Sequence, residues 1–264
     1  MSIGIALEAF RYRSQYVQSA PVEGREDIFS LSFGEYGCNI GIWRLMTLLD
    51  SYRIAASVSC SGELGETRPD VIAAVGAQGH DIVAHGWVND ELLTDEPSPE
   101  AEDATIRRTL SALEAASGQR PRGWGGPANA RSPRTLELLA ANGVDWCGDD
   151  ASADLPFVHQ PADGRSIVVM PKSNVVANDL VHWLLPQNPP SVLRDNFIPA
   201  FDTLCSEASE GRRGWIELML HAHVSGRPAL VPTIRSIIDY VNDHASVVWA
   251  TKSQLADWTI EELR

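Results

Sequence analysis

The 264-residue sequence lacks any excess of positive charge, any long apolar run and any paired-cysteine motif. Lys and Arg number 21 against 35 Asp and Glu, a formal net charge of −14. Binding to nucleic acid or to an anionic lipid surface grows with clustered Lys and Arg, so neither partner is expected. No stretch reaches the roughly 18 apolar residues of a membrane-spanning helix. The opening MSIGIALEAF has neither the basic start nor the apolar core of a signal peptide. Only four cysteines are present, without a C-x-x-C pair; they read as reduced thiols of a cytoplasmic protein. There is no G-x-S-x-G elbow, no P-loop, no zinc-finger spacing and no G-x-G-x-x-G after the first apolar run. Water is therefore the expected nucleophile, with carboxylates and imidazoles handling protons.

What is present is an alternation of short apolar runs and amphipathic segments. Strands are expected over 3–10, 55–59, 81–86, 122–126, 144–150, 166–173, 215–224 and 245–251. Helices are expected over 41–52, 68–79, 98–118, 132–143, 192–209, 228–243 and 252–263, several opening on Pro and closing on Gly. This order argues for a parallel sheet. We expect an α/β fold, a distorted barrel of about seven parallel strands, as one domain over residues 1–264.

In such barrels functional side chains gather at the carboxyl ends of the strands. The polar residues there are Glu8, His85, Trp124, Asp149, His221 and His223. Glu8 interrupts an apolar run, where a carboxylate must be paired or wet; it reads as a base or ligand, or as an exposed strand end. His85 closes DIVAHG. In HAH (221–223) both imidazoles face one way only if the strand persists, so His221 is the better acid or ligand and His223 a substrate or loop contact. Arg227 is placed to grip a carbonyl or carboxylate, or to form a surface ion pair. Trp87 and Trp124 wall a small pocket or pack beneath loops. Asp149 or Asp150 would orient a histidine.

The strings FGEYGCNIGIWRL (33–45), GHDIVAHGW (79–87), RPRGW (120–124), DDASADLPF (149–157), NDL (178–180), FDTLCSEAS (201–209) and LHAHVSGRP (220–228) together resemble the polysaccharide deacetylase (NodB-homology) superfamily. More narrowly they are similar to its branch of cofactor-independent allantoinase and cyclic-imide hydrolases. The resemblance runs over nearly the whole chain and implies hydrolysis of a non-peptide C–N bond. It implies Glu8 as base, His85 beside it, Arg120 tethering the base, His221 as acid and Asp149 orienting that acid. Glu35, Trp87, Asn89, Trp124, His223 and Arg227 become the implied substrate contacts.

Two positions depart from the metal-binding members. Ala9 falls where their metal carboxylate stands, and Asn89 replaces the second histidine of H-x-x-x-H. A divalent site needs three or more good ligands, so no cofactor is expected. The alternative is zinc in a rearranged site of Glu8, His85 and His223. Longer members of the group carry an N-terminal extension, whereas this sequence begins at its first strand, so allantoin itself is not transferred. The expected function is hydrolysis of a small, cyclic amide or imide. The rivals are a metal-dependent deacetylase of small N-acetyl compounds or sugars and a non-catalytic metabolite-binding pseudoenzyme. A homo-oligomer is left open.

Overall fold

Helices form where apolar spacing and capping residues coincide. Helix Pro99–Ser117 begins with the Ser98 hydroxyl accepting the Ala101 amide at 3.3 Å and ends at Gly118, whose φ is +72°. Helix Val231–Asn242 buries Ile234, Ile237, Ile238 and Val241, the i, i+3, i+4, i+7 stripe of a helix lying on a sheet. The strands are short runs without that spacing. Ser2–Leu7 is buried at every residue, as a parallel strand covered on both faces must be.

The computed structural model describes residues 1–17, 25–96, 98–161, 164–172 and 177–262. Its strands are β1 (Ser2–Leu7), β2 (Ser57–Cys60), β3 (Asp81–Ala84), β4 (Gly123–Trp124), β5 (Trp146–Asp150), β6 (Phe157–His159), β7 (Ile167–Pro171) and β8 (Glu217–His221). They form one eight-stranded sheet in the order β6-β7-β5-β4-β3-β2-β1-β8, parallel throughout except for β6 against β7. Beyond β7 the chain comes alongside β8. There the Met219 amide donates to the Ala177 carbonyl at 2.8 Å, and Asn178 bridges Met219 in parallel. The sheet thus curls into the expected distorted barrel, with Asp179 beside the end of β8.

Several elements differ from the sequence expectation. Segment 245–251 forms no strand; it meets the start of β1 through hydrogen bonds from the Met1 ammonium to the Val248 carbonyl and from the Ala250 amide to the Met1 carbonyl, each 2.9 Å. The strand expected over 215–224 stops at His221 and turns directly into a short helix, Ala222–Ser225. The antiparallel β6 and the helix Ile28–Tyr36 were not expected. That helix exposes Ile28 and Phe29, so its residues carry no one-sided apolar stripe. The ends of the strand expected to Ser173 and of the helix expected to Leu263 lie outside the described residues.

Two glycines allow the close approach that supports the mouth. The π-helical turn Gly37–Gly41 packs on Ala222–Ser225. A Cβ on Gly41 would stand 2.0 Å from the Ala222 carbonyl oxygen. Gly86, directly after β3, has φ +62°, which a side chain rarely adopts. The Gly41 contact is with backbone, which cannot swing away. We therefore expect Gly41→Ala to lower stability by about 1–3 kcal/mol, the usual range for overpacking. Urea denaturation checks this; an unchanged midpoint would show that the turn can shift without loss.

Candidate active site

Glu8 follows β1 and is 5% exposed. A buried carboxylate needs hydrogen-bonding partners, and four side chains face it. The Asn89 amide nitrogen donates to Oε1. The Gln15 amide nitrogen lies 3.4 Å from Oε1 and 3.2 Å from Oε2. His85 Nε2 stands 3.3 Å from Oε1, and His223 Nδ1 3.5 Å from Oε2. Burial by itself would raise the Glu8 pKa. The charge of His221 and the His85 hydrogen bond outweigh it, joined by His223 once that ring is protonated in acid, and hold the carboxyl at about 2, so Glu8 is ionised at neutral pH.

His85 is fixed from behind. Its Nδ1 donates to the Gly125 carbonyl at the end of β4, which directs Nε2 toward Glu8. Asn89 lies four residues on, with Nδ2 3.4 Å from His85 Nε2 and its Oδ1 accepting from Gln15 at 3.3 Å.

His221 ends β8, and its partner is Asp179. Asp179 Oδ1 accepts from His221 Nδ1 at 2.6 Å, while Oδ2 accepts the His221 amide at 2.7 Å and the Ser225 hydroxyl at 2.6 Å. Burial would lower the pKa of this imidazole; the Asp179 and Glu8 carboxylates prevail and raise it above the usual 6.5. With Nδ1 committed to Asp179, Nε2 is the nitrogen left to deliver a proton. His223 behaves oppositely. Burial against the edges of Phe10 and Phe33 pushes it down to about 4, so it is neutral, and its Nε2 is buried without a partner among the described residues.

The structure thus brings Glu8, His85, Asn89, His221 and His223 together, and it corrects two of the expected roles. Asp149 does not orient His221. Both of its oxygens accept the Gly126 amide, at 2.9 and 2.8 Å, and Lys172 Nζ lies 3.5 Å away. Arg120 does not tether Glu8. It precedes β4 at the amino end of the sheet, away from the mouth, and binds Glu114 at 2.7 Å and the Asn142 carbonyl at 3.2 Å. Neither tryptophan walls the space at Glu8. Trp124 is fully buried in the main core, and Trp87 lies beneath the Arg108 guanidinium, 3.4 Å from its ring centre, beside a separate cleft.

Arg227 is held over Phe33 and Tyr36, 4.0 and 4.2 Å from their ring centres, with Nε donating to the His223 carbonyl at 3.0 Å. It braces the segment that carries His223. A cavity of about 420 Å³ reaches Glu8 and is lined also by Leu31, Glu35, Asn39, Leu64 and Arg68; Glu35 is therefore placed for contact with a bound molecule. A cleft of similar size, near Met1, Trp215 and Val248 at the amino ends of β1 and β8, holds none of these polar groups.

Sequence reasoning missed Asp179, Ser225 and Gln15. Asp179 lies in the quoted NDL string, but the apolar run before it, Val175 to Ala177, is only three residues and was not read as a strand. Gln15 has no local signal at all.

The donor set does not suit a divalent ion. Asn89 turns its NH2 group toward both Glu8 and His85, a donor where a third ligand atom would be needed, and the Gln15 hydrogen bond to Asn89 Oδ1 fixes that orientation. Among the described residues no three His, Cys, Asp or Glu side chains converge to hold a metal. The expected rearranged site of Glu8, His85 and His223 brings its members near one another without forming such a cage. Nor is any helix among the described residues long and apolar enough to cross a membrane.

Comparison with known proteins agrees with this architecture. Residues 23–146 match the family model for polysaccharide deacetylase. The chain is 23% identical over 264 residues to the peptidoglycan deacetylase of Helicobacter pylori, covering 89% of this chain and 88% of that protein. Among solved structures, PuuE allantoinase superposes with a TM-score of 0.86 at 24% identity, covering 97% of this chain and 88% of that one. A probable polysaccharide deacetylase from Pseudomonas aeruginosa PAO1 gives 0.84 at 24% identity, covering 97% and 89%. Residues 23–146 thus match the polysaccharide deacetylase model, and the chain as a whole shares the fold of these solved structures.

Proposed function

We propose that this chain hydrolyses a non-peptide C–N bond in a small, cyclic amide or imide, by acid–base activation of water and without a metal cofactor. The observation that carries the reading is the pairing of an ionised base with an imidazole favoured in its protonated form in one buried cluster. Glu8 is held near 2 and is ionised at neutral pH, while the Asp179 and Glu8 carboxylates raise His221 above its usual 6.5, toward the form that can donate a proton. Glu8 takes a proton from water as the water oxygen attacks the carbonyl carbon. His221 Nε2 then donates its proton to the leaving nitrogen, and Asp179 stabilises the imidazolium beforehand. His85 and Asn89 orient Glu8, and Arg227 braces the segment that carries His223. The cavity at Glu8, about 420 Å³, suits a small molecule. The likeness to an allantoinase, with a donor set unsuited to a metal, favours the cyclic class over acetylated sugars.

Hydrolysis of succinimide, dihydrouracil, allantoin and an N-acetylglucosamine oligomer, with and without a strong chelator, tests the proposal. Turnover of a cyclic amide or imide that survives chelation is expected. Deacetylation abolished by chelator and restored by zinc would overturn it, and binding without turnover on every compound would mark a pseudoenzyme.

On the substrate so found, Glu8→Gln and His221→Ala should each lower kcat by roughly 10²–10⁴-fold, the usual worth of a general base or acid. Near wild-type rates in both would remove this mechanism.

The pH profile carries a further sign. Activity needs Glu8 ionised, satisfied above about 2, and His221 protonated, satisfied below its raised pKa. The profile of kcat/KM should therefore be flat through the mildly acidic range and fall on the alkaline side above 6.5. Asp179→Asn removes the charge that raises His221, so its alkaline limb should move to lower pH. A limb that stays in place would show that His221 is not the titrating acid.

A further inference from the structure

Gln15 lies on the segment after β1, and its side chain meets the catalytic cluster directly. Its two N–H donors are both committed. Nε2 lies 3.2 and 3.4 Å from the Glu8 oxygens and 3.3 Å from Asn89 Oδ1. The opposite orientation would set Oε1 against three acceptor oxygens, so this assignment is the only one the chemistry permits. Oε1 is then the other arm of an amide already pressed against the base. It is buried and has no hydrogen-bond partner among the described residues. A buried acceptor left unmade costs about 1–3 kcal/mol, which a donor arriving with the substrate would recover.

An acceptor two bonds from the nitrogen that holds Glu8 suits a ligand donating an N–H beside the carbonyl under attack. A ring amide or imide carries that N–H and C=O on adjacent atoms. An N-alkylated ring lacks the donor and would leave Oε1 unpaired. Resting on the hydrolase reading above, we infer that Gln15 is a specificity-determining residue: it holds Glu8 through Nε2 and selects substrates with a free ring N–H through Oε1.

The test compares succinimide with N-methylsuccinimide in the wild type and in Gln15→Met, which keeps the length of the side chain and removes both polar atoms. Thermal melting confirms that the variant is folded. The wild type should favour succinimide in kcat/KM by at least about tenfold, the equivalent of one hydrogen bond of about 1.4 kcal/mol. In Gln15→Met this preference should collapse toward unity, chiefly through KM. Loss of the donor to Glu8 lowers both rates together and cancels in the ratio, so a merely structural role for Gln15 would leave the preference unchanged. A preference retained in the variant overturns the inference. Calorimetric titration with the same two imides separates this inference from the hydrolase reading. If the wild type binds succinimide preferentially without turning it over and Gln15→Met loses that preference, the hydrolase reading falls and the role of Gln15 stands. If neither imide binds, the role of Gln15 falls too.

Discussion

The site depends on keeping one carboxylate ionised where bulk water scarcely solvates it. Glu8 is nearly inaccessible, and an isolated buried carboxylate would take up a proton to shed its charge. It stays charged because Asn89, Gln15, His85 and His223 face it and His221 carries the opposite charge nearby. Those groups come from three separate parts of the chain. Glu8 and Gln15 flank the end of β1, His85 and Asn89 follow β3, and His221 and His223 close β8. β1 lies between β2 and β8, and β3 is the next strand after β2. The curl of the sheet is thus what makes a multiply solvated carboxylate available, and no local segment could supply it alone.

That dependence extends outward. His223 stays beside Glu8 although β8 ends at His221, because the chain turns at once into the helix Ala222–Ser225. The turn is held by Asp179, which accepts both the His221 amide and the Ser225 hydroxyl, and by the glycine contact at Gly41. The same aspartate that sets the protonation of His221 also fixes the backbone presenting it. Arg227, lying over Phe33 and Tyr36 and hydrogen-bonded to the His223 carbonyl, braces that segment from the other side.

Much of this was legible in the sequence, and the misses share a cause. Glu8, His85 and His221 each end an apolar run, so periodicity and the rule of strand ends place them together. The parallel sheet follows from the alternation of elements for the same reason. The helix Ile28–Tyr36 was missed because it exposes Ile28 and Phe29 and so lacks the pattern that marks helices. Asp149 was preferred to Asp179 as the partner of His221 because Asp149 sits at a recognisable strand end. Which carboxylate meets a given histidine depends on how the sheet closes between β7 and β8, through contacts such as that of Met219 with Ala177. Sequence periodicity carries no information about that closure. Arg120 fails for the converse reason: it lies before its strand rather than after it.

Asn89 acquires its meaning from the same geometry. As a substitute for a histidine it is a poor ligand, since its accepting oxygen is taken by Gln15 and its donating nitrogen faces Glu8. That arrangement converts a position able to hold a cation into one that supplies hydrogen bonds to an anion. A metal would stabilise both the attacking water and the developing oxyanion by its own charge. On the metal-free reading proposed above, the cluster holds its charges before the substrate arrives, with His221, its pKa raised, set among the carboxylates of Asp179 and Glu8. Preorganised charge of this kind requires no reorganisation during reaction. The burial that threatens the ionisation of Glu8 is therefore also what strengthens its interaction with His221.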